Sequence, residues 1–226
     1  MDGALFDPVA LGIVLLGTLV ATLARSGLRD MTLAVRSALT LASNGFDAEA
    51  NRAAIARWAR AIRLRGVLGA EERLPPDKDL ARGLTALVRT GSIKALRGAH
   101  DDACARHLRE RGRVVRVFEQ AGELAPVFGL VGTLFSMTQL APGVGTEAAG
   151  SASAVTLAAI ATAVLSSIYG VLAAHFLFLP LAHAVARRAQ TEEEQREALV
   201  EWLAHEIEDA MPGQSPSRVA RLAPIA

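Results

Sequence analysis

The chain has 226 residues, 51% of them hydrophobic, and a mean hydropathy of +0.30. Its 24 Lys and Arg against 23 Asp and Glu leave a formal net charge of +1, which argues against the one-sided basic surface that nucleic-acid binding needs. Cys104 is the single cysteine, so neither an internal disulfide nor a thiolate metal cluster can form.

The apolar residues collect in three stretches, and a helix needs about 20 of them to cross a bilayer. The first candidate, LFDPVALGIVLLGTLVATLA, runs from Leu5 to Ala24 with Asp7 and Pro8 at its outer edge. The residues leading into it carry Asp2 and Asp7 but no Lys or Arg. It therefore reads as a retained anchor, with a cleaved signal peptide as the alternative. Residues 26–120 contain no long apolar run and read as amphipathic helices. From Asp47 onward, Ala54, Ile55, Trp58, Ile62 and Val67 fall near one stripe at helical spacing, with Arg52, Arg57, Arg60 and Arg63 mostly off it. LPPDKD, Leu74 to Asp79, breaks the helix, because two prolines cannot sit in a helix interior. Helices resume over Asp79–Arg89 and Ser92–Glu119, punctuated by Gly91.

The second span runs from about Leu124 to Ala141, and the third from about Ala154 to Ala186. The third exceeds one bilayer crossing, so it must tilt or project. TEEEQREALVEWLAHEIEDAM then extends it as an amphipathic helix with Leu199, Trp202, Leu203 and Ile207 as its apolar stripe, ended by Pro212 and Gly213. Arginines set the direction. Arg25 and Arg29 follow the first span, Arg111, Arg113 and Arg116 precede the second, and Arg187 and Arg188 follow the third. The positive-inside rule then places the N-terminus outside and the C-terminus inside. The expected fold is an all-α membrane protein of three transmembrane helices with long cytoplasmic helical extensions. In chain order this gives a first transmembrane helix (1–25), a cytoplasmic helical domain (26–120), the second and third transmembrane helices (121–186), and a cytoplasmic C-terminal helix and tail (187–226).

What could carry chemistry is sparse. At bilayer depth the spans hold no Asp, Glu, Lys or Arg apart from Asp7 at the edge, whereas a chain relaying protons alone would carry an acid of its own. Spans two and three instead carry small and hydroxylic residues one turn apart: Gly129 with Thr133, Gly132 with Ser136, and Thr162 with Ser166 and Gly170. These residues permit close helix packing in lipid. They equally suit a polar lining that hydrates a path beside a partner's titratable group, and spacing alone leaves both readings open. Pro126 and Pro180 sit near the cytoplasmic ends of their spans, where a missing N–H can hinge a helix. His175 is expected near the inner interface, with no second ligand beside it. GLVGT lies inside a span and lacks the following Lys of a phosphate loop. With no nucleophile–base pair or metal-spaced cluster, the chain reads as a non-enzyme that needs neither cofactor nor metal.

Two segments resemble a known family. Ala125 to Met137, APVFGLVGTLFSM, resembles the APxxGLxGTxxGM segment of the MotA/TolQ/ExbB proton-channel proteins. Ala161 to Pro180, ATAVLSSIYGVLAAHFLFLP, is similar to the AxALxTTxYGxxxANxxxxP segment of the MotA branch. Looser similarity covers Asp7 to Arg36 and the RLRGVLGAE of Arg63 to Glu71. The resemblance implies a homopentameric ring in the bacterial inner membrane around a dimer of a single-span partner of MotB, ExbD or TolR type. The partner supplies the essential Asp, and proton passage through it turns the ring, so the chain would be one subunit of a stator or energy-transducing motor.

By the same resemblance, Thr133 and Ser167, with Ser166 and Thr162, line the proton path. Pro126 and Pro180 couple conformations, while Gly129, Gly132, Tyr169 and Gly170 pack the helices. Arg63 and Glu71 match charged residues that touch a cytoplasmic rotor. The chain departs from the pattern in four places. Ser166 and Ser167 stand for a Thr pair, Thr162 stands where the ExbB/TolQ branch has Glu, and His175 stands where MotA has Asn. There are three spans rather than the four of MotA. The rival reading is a membrane scaffold that recruits cytoplasmic partners without conducting ions.

Overall fold

A computed structural model describes residues 7–41, 45–70, 72–138 and 149–210. Among them every regular element is helical. The helices are α1 (Pro8–Thr40), α2 (Ala48–Arg65), α3 (Lys78–Thr90), α4 (Ile93–Thr138), α5 (Ala149–Leu172) and α6 (Leu179–Ala210). A 3-10 turn, Val67–Gly69, follows α2, and a π-helical stretch, Ala173–Phe178, joins α5 to α6 without a break. Three helices are long and apolar enough to cross a membrane: Pro8–Thr40, Ile93–Thr138 and Thr156–Asp209. The all-α fold with three spans is as the sequence implies.

Local chemistry explains the boundaries. Asp7 caps α1 through its carboxylate, which accepts from the Val9 and Ala10 amides at 2.9 and 3.1 Å, and Pro8 fills the first position, where no N–H is needed. Gly27 (φ 79°, ψ 161°) lies within α1 in a conformation that a side chain would disfavour, and kinks it. Asp77 caps α3, and Gly91 ends it in the left-handed region (φ 66°). Pro126 lies inside α4. Pro180 follows the π stretch, where the Leu179 amide bonds the Ala174 carbonyl five residues back. The widened turn makes room for the proline ring against the preceding turn.

The chain divides into two compact units, one of residues 1–43 and 110–187, the other of 44–109 and 188–226. The division does not follow chain order. Residues 26–43 and 110–120 group with the spans, and the C-terminal helix groups with the helices between spans one and two.

In the first unit α1 packs against α4 and α5. A Cβ on Gly17 would strike the Phe128 ring at 2.3 Å. After the Gly27 kink, Ala34 meets Val114, Val117 and Phe118 of α4 and Ala182 and Val185 of α6. Polar ties lie alongside: Ser26 Oγ to Gln120 at 2.7 Å, Arg25 to Glu123 at 3.6 Å and Arg113 to Asp30 at 3.5 Å.

The second unit has a conventional water-soluble core. Ile55, Trp58 and Ile62 of α2, Leu80, Leu84 and Leu87 of α3, Leu96 of α4 and Val200, Leu203 and Ile207 of α6 are all buried. The expected α2 stripe faces inward along its whole length. The stripe on α6 needs a correction, because Trp202 is 39% exposed and the inward residues are Val200, Leu203, Ala204 and Ile207. At about 100° per residue, Trp202 lies well off the arc through Leu203 and Ile207. Two polar groups close the break between α2 and α3. Trp58 Nε1 donates to the Arg73 carbonyl at 3.2 Å, and buried Asn51 accepts from the Asp77 amide at 3.0 Å.

Candidate functional site: the seam between spans two and three

α4 and α5 approach closely at Gly129, Gly132 and Gly170. A Cβ on Gly129 would lie 3.0 Å from the Ser166 carbonyl oxygen and 3.3 Å from Ser167 Cα. On Gly170 it would lie 2.6 Å from the Ala125 carbonyl oxygen and 3.1 Å from the Cα atoms of Gly129 and Pro126. On Gly132 it would overlap Ser166 Oγ at 1.9 Å. The two backbones touch here, which side chains larger than hydrogen forbid. Ser166 is fully buried in this seam, and its hydroxyl donates across it to the Gly129 carbonyl at 2.9 Å. Ser136, also buried, donates to the Gly132 carbonyl of its own helix at 2.9 Å.

The hydroxyls nearest the seam's edge are different. Thr133 lies one turn beyond Gly129, is half-buried, and donates to the Leu130 carbonyl at 2.6 Å. Ser167 and Thr162 are likewise half-buried. The sequence groups Ser166 with these three; it is buried inside the helix pair, whereas they are half-buried. Pro126 sits against Gly170, and Pro180 follows the π stretch. His175 is exposed, with Nδ1 3.0 Å from the Val171 carbonyl oxygen. Arg63 is exposed and ion-paired with Glu206, and Glu71 lies outside the described residues.

Asp7 emerges as a member of the site that spacing did not reveal. Its amide donates to the Tyr169 hydroxyl oxygen at 3.1 Å. The start of span one is thereby tied to span three at Tyr169. The Asp-Pro pair announces a helix cap in the sequence, but a cap motif names no partner on another helix.

Two buried hydroxyls on span one, Thr18 and Thr22, have no hydrogen-bond partner. Among the described residues no group of three or more His, Cys, Asp or Glu could hold a metal ion.

Comparison with known proteins places this arrangement. Residues 71–198 match the profile of the MotA/TolQ/ExbB proton channel family. The uncharacterized protein YtxD of Bacillus subtilis (strain 168) is 26% identical over 143 residues, 62% of this chain. The match spans 50% of that relative's length. The fold is similar to the structure of C. jejuni MotAB, with a TM-score of 0.76, 14% identity, and coverage of 94% of this chain and 87% of that one. It is equally similar to the flagellar MotAB stator complex from Bacillus subtilis, with a TM-score of 0.75, 19% identity, and coverage of 96% and 88%.

Proposed function

The chain belongs to the MotA/TolQ/ExbB proton channel family, and from that premise we propose that it is the ring-forming subunit of a motor driven by the proton-motive force in a bacterial inner membrane. Copies of the chain form a homopentamer around a dimer of a single-span partner of MotB, ExbD or TolR type. The partner's Asp takes up the proton, and the ring turns about the dimer as protons pass. The N-terminus lies outside and the C-terminus in the cytoplasm, following the arginines that flank each span.

The observation that carries this reading is the glycine seam of α4 and α5, which sets half-buried Thr133 and Ser167 within one turn of the same close contact. Two helices held at backbone contact present these hydroxyls in a fixed geometry. Hydroxyls can both donate to and accept from water or a carboxylate, which suits a path that is hydrated only in passing. Thr162 and Asp7 extend the polar surface, and Ser166 braces it from behind. Pro126 and Pro180 lie where the span helices can bend, and Arg63 belongs to a cytoplasmic contact surface.

The test is proton uptake into cells that co-express the chain with its single-span partner. Thr133→Val or Ser167→Val keeps side-chain shape or adds volume but removes the hydroxyl, and each should cut uptake several-fold while the complex still assembles. Unchanged uptake in both variants would remove the lining role. A stable complex that conducts nothing even before mutation would favour the scaffold reading.

A further inference from the structure

In the second unit, one side chain is held between carboxylates from two other helices. His107 of α4 has Nε2 3.0 Å from Asp79 Oδ2 on α3 and Nδ1 2.9 Å from Glu193 Oε2 on α6. All three side chains are largely withdrawn from water, at 29%, 15% and 16% exposure. A neutral imidazole has one N–H and one lone pair, so it can donate to one of these oxygens and must turn the lone pair toward the other. The doubly protonated ring satisfies both.

The surroundings hold the two carboxylates in place whatever the ring does. Arg82 and Arg106 donate to Asp79 Oδ1, the oxygen that His107 does not use. Arg196 of α6 bonds Asp77 at 3.0 Å and also reaches Glu192 and Glu193 at 3.6 and 3.5 Å. Cys104, one turn before His107, has its thiol pushed up by burial and then by the charge of Glu193, with Glu197 and Asp101 acting in the same direction. Glu193 Oε1 is buried without a hydrogen-bond partner. The arginines keep their charge throughout the physiological range.

We propose that His107, between Asp79 and Glu193, is a proton-binding site that clamps α3 and α4 to α6 when the ring is doubly protonated and releases one of those bonds when the proton leaves. The site lies outside the apolar stretches Leu124–Ala141 and Ala154–Ala186 and does not depend on their conducting. The proton-bound form carries both bonds, so the clamp is complete at low pH and weakens as pH rises. A histidine that merely filled space would give the unit no such dependence.

Amide hydrogen exchange on the full chain in lipid nanodiscs reads this directly, once rates are corrected for the intrinsic effect of pH. Protection of the α3 amides should fall about ten-fold between pH ~6 and pH ~8, the loss expected for one charge-assisted hydrogen bond. His107→Gln should flatten that dependence, and His107→Lys, which keeps the charge, should hold protection high at both values. Glu193→Gln leaves the ring and the α4 backbone in place and should flatten the dependence by itself, so the test survives a His107→Gln chain that fails to fold. Wild-type protection that does not change with pH, or a dependence that persists in His107→Gln or Glu193→Gln, would overturn the proposal.

Discussion

The two units of this chain are held together by opposite means. In the second, large side chains meet: Ile55, Trp58, Leu84, Leu87, Leu203 and Ile207 are buried, and the surface around them is largely charged. In the first, helices meet where side chains are missing, at Gly129, Gly132 and Gly170, while Leu16, Val20, Leu130, Leu134 and Phe176 point outward at 60% exposure or more. The solvent explains the difference. Water drives apolar groups inward, so a soluble core is built from volume. Lipid gives a leucine no reason to leave it, so span helices associate through close approach and hydrogen bonds such as Ser166 to Gly129. The same substitution should therefore have opposite consequences in the two units.

Removing volume tests the soluble unit hardest. Leu84 is fully buried, and Leu84→Ala should cost about 2–5 kcal/mol by lost burial and an unfilled cavity, read as early melting and lost exchange protection of α2, α3 and the C-terminal part of α6. Full retention of the melting temperature would show that this core is not what holds the unit. Adding volume tests the seam. Gly170→Ala sets a methyl against three backbone atoms at 2.6–3.1 Å, none of which can rotate away, and should cost about 1–3 kcal/mol in an unfolding titration of the chain in micelles. The smallest effect is of opposite sign. Gly98, in the part of α4 that belongs to the second unit, has nothing within 4 Å of an added Cβ. Gly98→Ala should stabilise by about 0.5–1 kcal/mol, the ordinary gain of replacing a helical glycine. If Gly98→Ala and Gly170→Ala shifted stability alike, the contrast between the two units would collapse.

Legibility in the sequence followed the same divide. Where water chooses the buried face, period alone was enough, and Ala54, Ile55, Trp58, Ile62 and Val67 are each 5% exposed or less. It misled at Trp202, because a bulky aromatic near an apolar stripe looks like part of it. In the spans hydrophobicity is uniform and selects no face, so the glycines and hydroxyls had to carry the signal. They were compatible with close helix packing, but did not say that Ser166 is buried in the seam while Ser167, its neighbour, is half-buried. Contacts between distant segments were invisible in principle. Nothing near Asp7 points to Tyr169, and nothing near His107 points to Asp79 and Glu193. Thr18 and Thr22 sat inside an apolar run, where a hydroxyl draws little notice.

The π stretch at Ala173–Phe178 has a further effect, on the angular phase of the third span. From Ser166 the inward positions proceed through Gly170, Ala174, Phe178 and Ala182 in steps of four. At about 100° per residue, each such step overshoots a full α-helical turn by about 40°, so a straight helix would have carried Ala182 to nearly the opposite side by the fourth. One wide turn takes up roughly a residue of that error. Ala182 and Val185 thus arrive on the flank where Ala34, Val114 and Phe118 wait. The irregular turn acts as a vernier: it resets the count once, so that the helix keeps one edge inward from Ser166 through Val185.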